Sequence, residues 1–385
     1  MVRNALDNPI GCDAIPNEVK PSDKVLLLID DHSRSTPVRA ILPLVLEQLK
    51  IAGVSDDSIT ILVALGTHRP MTAAEMEARV GPEIFAKISV LNHAWDDPAS
   101  LQYMGATTAG TDIWVNKLAV EADYIIGIGH IVPHRVAGYS GGGKIIQPGI
   151  SGPVTTGKTH WLSAYYSAQE VLGQPDNPVR REIEEVALRV GLKFIVNVVQ
   201  DSAGKIAGVF AGHPTAAHRA GCKFAESIYG VHVAKKADIV ITEAYPTESE
   251  LWLATKALQA ADIVVKPEGV IILLAACPEG ISCSHGPLIE KYGFRPLKAV
   301  EALVEEGLMK DLNVSSYLAR VGNVLEKTRT ILVSEGISTA QAEKIGFIGC
   351  GDVESALRKA LSMVNPDPEI VVLYHGSELL PIITK

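Results

Sequence analysis

Short runs of aliphatic and β-branched residues recur at 24–31, 58–65, 122–128, 193–199, 237–243, 269–275, 330–334 and 369–374, and helical patterning fills the intervals. Runs that are apolar at successive positions, rather than at alternate ones, belong to strands buried on both faces of a parallel sheet. Between the first two lies Pro37 to Leu49, which predicts a helix with Thr36 as N-cap and Pro37 in its first turn. Thr72 followed by Glu75 predicts a capping box and a second helix start. A turn over Val209 to Pro214 is expected to lead into a helix from Ala216 to Tyr229. The alternation predicts an α/β protein of two domains, each a largely parallel sheet flanked by helices, with functional loops at the carboxyl ends of the strands. A new strand series opening at Ala237 puts the boundary near 234, giving domains 1–234 and 235–385. No internal repeat or low-complexity tract interrupts them.

Composition agrees with that division. At 385 residues the chain exceeds what one hydrophobic core usually organises. Its 47% hydrophobic but only 5% aromatic content implies an interior of Ala, Val, Ile and Leu. The net charge of −9 and the lack of any Lys/Arg block exclude a nucleic-acid partner. Five cysteines (Cys12, Cys222, Cys277, Cys283, Cys350), odd in number and without a C-x-x-C pair, point to a reducing cytoplasm. Cys277, Cys283 and His285 lack zinc spacing and a fourth ligand, so they read as packed or surface residues. With no basic-then-apolar leader and apolar runs shorter than ~18 residues, neither export nor a membrane span is expected.

Candidate chemistry concentrates between Pro133 and His160. That stretch holds His134, the run Ser140-Gly141-Gly142-Gly143-Lys144, and His160 itself. Glycines let a backbone approach a ligand closely, while His and Lys bind metal, move protons or form covalent bonds. The first strand ends in Asp31-His32-Ser33-Arg34 and the second in Gly66-Thr67-His68-Arg69, so neighbouring loops bring Asp31, Arg34 and His68 toward one crevice. The first of these loops also reads as a capping turn with a surface ion pair. His68 and His134, from different loops, suit an acid and a base on two sides of a substrate. His93, His130, His213, His218, His232 and His375 have no such company and read as structural or surface residues. Gly152 to Thr159 also satisfies the nucleotide phosphate-loop pattern, which keeps an NTPase as an alternative, although no strand runs directly into it.

Asp31-His32-Ser33-Arg34, Gly66-Thr67-His68-Arg69-Pro70-Met71-Thr72, Pro133-His134, Ser140-Gly141-Gly142-Gly143-Lys144, Pro148-Gly149, His160, Ala254-Thr255-Lys256-Ala257-Leu258 and Cys277-Pro278-Glu279-Gly280 together resemble the nickel-dependent lactate racemase family across nearly the whole chain. The resemblance implies an isomerase, a 2-hydroxy acid racemase or epimerase, with its active site in the cleft between the domains. It further implies nickel held in a nickel pincer nucleotide (pyridinium-3,5-bisthiocarboxylic acid mononucleotide), attached covalently through Lys144. By the same resemblance His160 ligates the metal and His68 and His134 are the acid/base pair. Arg34 and Lys256 hold substrate, and Asp31, Ser140, Gly141 and Gly142 line the cofactor site. The N-terminal domain would then carry cofactor and catalytic histidines, and the C-terminal domain substrate contacts. Implied partners are a small-molecule 2-hydroxy acid and the enzymes that build the cofactor, with self-association open. A homologue that binds ligand without catalysis is a further alternative. Against the lactate-specific pattern, Leu253 replaces an amide three residues before Lys256, no tryptophan follows Trp252, and Gly143 stands where an arginine is expected. A larger or sugar-acid-like 2-hydroxy acid is therefore expected.

Overall fold

The structure, a computed structural model, describes residues 1–384. Its contacts divide the chain into two units. One comprises Met1–Val132, Tyr139–Thr159 and Pro175–Ile228; the other comprises Pro133–Gly138, His160–Gln174 and the chain from Tyr229 onward.

The first unit is built on six strands: β1 (Val25–Asp30), β2 (Ile59–Ala64), β3 (Ser89–Asn92), β4 (Tyr124–His130), β5 (Leu192–Gln200) and β6 (Ile206–Gly212). They lie in the order β6-β5-β4-β1-β2-β3, all parallel except β6, which runs against β5. The direction of winding reverses between β1 and β4, the place where an open α/β sheet ordinarily leaves a crevice at its strand ends. Every residue of β1 is buried. Val25, Leu27 and Ile29 join Val38, Ile41 and Val45 of the helix Val38–Ile51 on one face of the sheet. Leu26 and Leu28 point the other way and meet Ile145, Ile146 and Ile150.

The second unit has five parallel strands, β7 (Ala237–Glu243), β8 (Val265–Leu274), β9 (Arg329–Val333), β10 (Ile348–Cys350) and β11 (Ile370–Leu373), in the order β10-β9-β8-β7-β11. Its winding reverses between β7 and β11. Ile239, Val270, Ile272 and Ile331 pack with Ala356 and Ala360 of the helix Val353–Leu361. Among the described residues no helix is long and apolar enough to cross a membrane.

All eight strands expected from the sequence form, and β3, β6 and β10 join them. The expected turn over 209–214 is corrected: β6 continues to Gly212 and the helix begins at Pro214. Gly208 and Gly212 dilute the apolar signal of this strand, which is only partly buried over its first five positions. β3 is half-exposed and β10 only three residues long. The Thr36 cap is also corrected. Its hydroxyl donates to the buried Asp30 carboxylate at 2.5 Å and meets His130 Nδ1 at 2.8 Å, so Pro37 occupies the cap position without a side-chain cap. The Thr72–Glu75 capping box forms, with Glu75 N to Thr72 Oγ1 at 3.2 Å and Thr72 N to Glu75 Oε2 at 2.7 Å, and opens the helix Ala73–Val80.

Candidate active site

In the first unit the loop after β1 carries Asp31 and Arg34, and the loop after β2 carries His68. The structure pairs two of them: His68 Nδ1 lies 2.6 Å from Asp31 Oδ2. Ser33 donates to Asp31 Oδ1 through its N–H at 3.0 Å and its hydroxyl at 2.5 Å. Asp31 is 2% exposed, whereas the His68 side chain keeps 32% of its surface open. Burial by itself raises the Asp31 carboxyl, but hydrogen bonds and charge from His68, the Arg34 guanidinium and Ser33 outweigh it and hold the group well below the usual carboxylate range. An ionised Asp31 can only accept. In the neutral ring the His68 proton therefore sits on Nδ1, leaving Nε2 with a lone pair. Arg79, in Ala73–Val80, clasps this turn by donating to Asp30 O and Arg34 O at 3.0 Å each and by pairing with the Asp30 carboxylate.

The glycine-rich loop leaves β4 and is fastened over Tyr139 to Gly142. Ser140 Oγ donates to His130 O at 2.7 Å and accepts from Val132 N at 2.9 Å. Gly142 N–H donates to Asn197 Oδ1 at 2.7 Å, and His218 Nε2 meets Ser140 O at 2.8 Å. Arg180, fully buried in Pro178–Val190, donates to Gly141 O at 3.1 Å and to Tyr139 O. Gly142 has φ +58°, and a Cβ there would stand 2.9 Å from the His218 ring. The glycines thus answer first to packing inside the protein. Lys144 follows in the single turn Gly142–Ile145, with Ile145 and Ile146 set into the sheet. Ile145 seats there because β4 offers Gly127, where a Cβ would stand 2.6 Å from Ile145 Cγ2.

The second unit holds His134, His160 and Lys256. The Val136 N–H donates to His134 Nδ1 at 3.1 Å, so the neutral ring keeps its proton on Nε2. In their neutral forms His134 and His68 therefore take opposite tautomers: one offers an Nε2–H, the other an Nε2 lone pair. His160 lies in the last turn of Pro153–Ser163, and its carbonyl accepts from Ser163 Oγ and Ser316 Oγ at 2.6 Å each. Lys256 opens the helix Lys256–Val264 next to Thr255. Thr255 Oγ1 in turn accepts from Arg135 Nη1 at 2.7 Å. Trp252 stacks against Tyr317 at 4.2 Å and His285 at 4.6 Å between centroids.

The phosphate-loop alternative does not hold. Gly157, Lys158 and Thr159 lie inside the helix Pro153–Ser163, Lys158 pairs with Asp112 at 2.8 Å, and the Thr159 hydroxyl bonds back to Thr155 O at 3.1 Å. No loop remains to cradle phosphates. Sequence reasoning missed Arg79, Arg180, Asn197 and Arg320, which lie outside every motif, and gave Arg135 no role although it adjoins His134; His218, read as structural, is a buried anchor of the loop. A charged residue inside an otherwise buried helical run, such as Arg320 after Val314-Ser315-Ser316-Tyr317-Leu318-Ala319, was the signal available.

Two histidines without catalytic company make the fold sensitive to acid. His93 is 1% exposed, meets Ser151 O at 3.2 Å through Nε2 and accepts from Asn116 Nδ2 at 3.1 Å. Burial pushes it down to about 4, and burial with the Arg180 charge takes His218 well below its ordinary value. Both stay neutral in the folded state while the unfolded chain takes up protons below its ordinary value near 6.5. Stability is accordingly whole above that value and falls as pH drops from there to about 4, by roughly 3 kcal/mol for His93 at the acid end. Melting temperatures measured across this range should fall steeply for the parent and less steeply for His93→Gln.

Residues 1–172 match the family described as the lactate racemase N-terminal domain, and residues 232–380 match the lactate racemase C-terminal domain. A lactate racemase of Thermoanaerobacterium thermosaccharolyticum is 31% identical over 385 residues, spanning 99% of this chain and 89% of that protein. A lactate racemase of Lactiplantibacillus plantarum is 34% identical over 282 residues, spanning 72% of this chain and 66% of that one. Among solved structures, the lactate racemase apoprotein of T. thermosaccharolyticum superposes with a TM-score of 0.88 at 30% identity, covering 99% of this chain and 92% of its own. A Thermotoga maritima protein shares the fold at a TM-score of 0.80 and 18% identity, covering 100% and 97%.

Proposed function

The chain belongs to the lactate racemase family, and as a racemase of that family we propose that it inverts C2 of a 2-hydroxy acid through a 2-keto acid, with a nickel pincer nucleotide as cofactor. The observation that carries the reading is the pair of opposed tautomers at His68 and His134. The donor set fits the cofactor: Lys144 supplies a primary amine held in a short turn, and His160 an imidazole of the kind nickel takes. When bound, that group supplies the acceptor and donor of the C2 hydride. His68 Nε2 takes the substrate hydroxyl proton, and the Asp31 carboxylate compensates the charge the ring gains. His134 Nε2–H returns a proton to the oxygen once the centre is rebuilt from its other face. Arg34 and Lys256 hold the substrate carboxylate, and Ser140, Gly141 and Gly142 fix the cofactor loop. Neither histidine alone removes an unactivated C2 proton at a useful rate, which is why the cofactor belongs to the proposal.

Leu253, Gly143 and the lack of a tryptophan after Trp252 favour a 2-hydroxy acid larger than lactate or of sugar-acid type. Five cysteines, odd in number and without a C-x-x-C pair, favour the cytoplasm, where the enzymes that make the cofactor would be partners. Protein co-produced with those enzymes should carry an adduct on Lys144 visible by intact mass and absent from Lys144→Ala. Substrate deuterated at C2 should keep its label through inversion. Activity and nickel content unchanged in Lys144→Ala, or rapid washout of the label, would sink the reading.

A further inference from the structure

Two arginines of the second unit are buried side by side in charge without a counter-ion. Arg135 is 8% exposed and Arg320 6%. Neither pairs with a carboxylate of the described residues; the charged groups acting on Arg320 are Arg135 and the Tyr317 hydroxyl, and on Arg135 the Tyr317 hydroxyl. Arginine does not shed its proton in a protein, so both charges persist. Burial and the Arg135 charge nevertheless work against Arg320, and burial pushes Arg135 down to about 10. Buried charges are ordinarily paired, because leaving one uncompensated is among the costlier things a fold can do.

Both guanidiniums are held in place by neutral groups. Arg135 donates to Thr255 Oγ1 at 2.7 Å and Trp252 O at 3.1 Å and stands 5.3 Å over the Tyr317 ring. Arg320 Nε donates to Ser316 O at 3.2 Å and Ser316 Oγ at 3.1 Å, while its Nη1 has no partner among the described residues. This cluster adjoins all three second-unit residues of the proposed site, two in sequence and one through its carbonyl. Arg135 follows His134 in the chain, Thr255 precedes Lys256, and Ser316 holds the His160 carbonyl.

We propose that Arg135 and Arg320 form a binding site for a small-molecule oxyanion, a carboxylate or a phosphate, on the substrate or cofactor bound at this site. The proposal rests on the racemase reading for the occupant's identity and not for its binding. Two orders of source follow: a second carboxylate on the 2-hydroxy acid, or the phosphate of the nucleotide. The forked geometry of guanidinium suits either.

The test uses the full chain without cofactor, titrated by calorimetry with succinate, inorganic phosphate and acetate. Succinate or phosphate should bind saturably and more tightly than acetate. Arg320→Met and Arg135→Gln should each weaken that binding about tenfold or more. Preference for succinate assigns a dicarboxylic substrate, and preference for phosphate assigns the cofactor. With its uncompensated charge removed, Arg320→Met should melt no lower than the parent; a purely structural arginine would lower it. Binding no tighter than acetate, undiminished binding in both variants, or a lowered melting temperature in Arg320→Met overturns the proposal. Anion binding without racemase activity would instead count against the proposed function and leave this site standing.

Discussion

Asp31→Asn is expected to lower turnover of the loaded enzyme by about 10²–10⁴-fold while leaving the protein folded. The carboxylate sits 2.6 Å from His68 Nδ1 and dictates that Nδ1 carries the proton. An asparagine of the same shape can turn its amide N–H toward that nitrogen, which moves the ring proton to Nε2. His68 and His134 would then both present donors, and nothing would remain to accept the hydroxyl proton. The loss should fall on kcat in both directions of inversion, with KM changing little because substrate contacts are untouched. Ser33 can still donate to the amide oxygen, so the loop should keep its shape. The variant should also lose the acid sensitivity that Asp31 confers. Its depressed carboxyl stabilises the fold above the ordinary carboxylate range, and that stabilisation fades as pH falls through the depressed value. A variant within tenfold of the parent in kcat would refute the tautomer assignment.

Arg180→Met should cost about 2–5 kcal/mol, which in a unit of this size lowers the melting temperature by roughly 5–15 °C. The buried guanidinium serves the carbonyls of Tyr139 and Gly141, and methionine fills the space without donating to either. Both buried carbonyls would lose the guanidinium donor, leaving Gly141 O with only the Lys144 N–H at 3.3 Å on the strand-to-turn path that places Lys144. Adduct yield on Lys144 should fall with stability, whereas Arg181→Met, which removes only an exposed pair with Asp176, should change neither. Thermal melts and intact mass on the two variants decide the matter. Equal melting temperatures would show that the loop holds itself.

These two residues mark where the sequence was legible and where it was not. Strands buried on both faces announced themselves, because no polar position interrupts Leu26 to Ile29 or Val270 to Leu274. Edge strands did not, since β3 and β6 show water one side and carry glycine or polar residues there. His68, His134 and Lys144 were readable as reactive residues at strand ends. The bond between Asp31 and His68 was not, because it depends on the registry of β1 beside β2, which places residues 37 apart in sequence within contact. Arg180 was unreadable for a different reason: it sits beside Arg181 in an amphipathic helix, and only the burial of one of the pair distinguishes them.

The fastening of the glycine loop sets an order of events during synthesis. Its three anchors, Arg180, Asn197 and His218, all leave the ribosome after the loop itself, the last of them several seconds later at ordinary elongation rates. Until then Ser140 to Lys144 has its flanking strand but none of those side chains. A chain ending at residue 172, where the match to the N-terminal domain family stops, would contain the loop and lack every anchor. On the proposed reading, Lys144 therefore becomes a defined target only on a nascent chain grown past His218, and an enzyme that reads its folded surroundings would have to wait for that point.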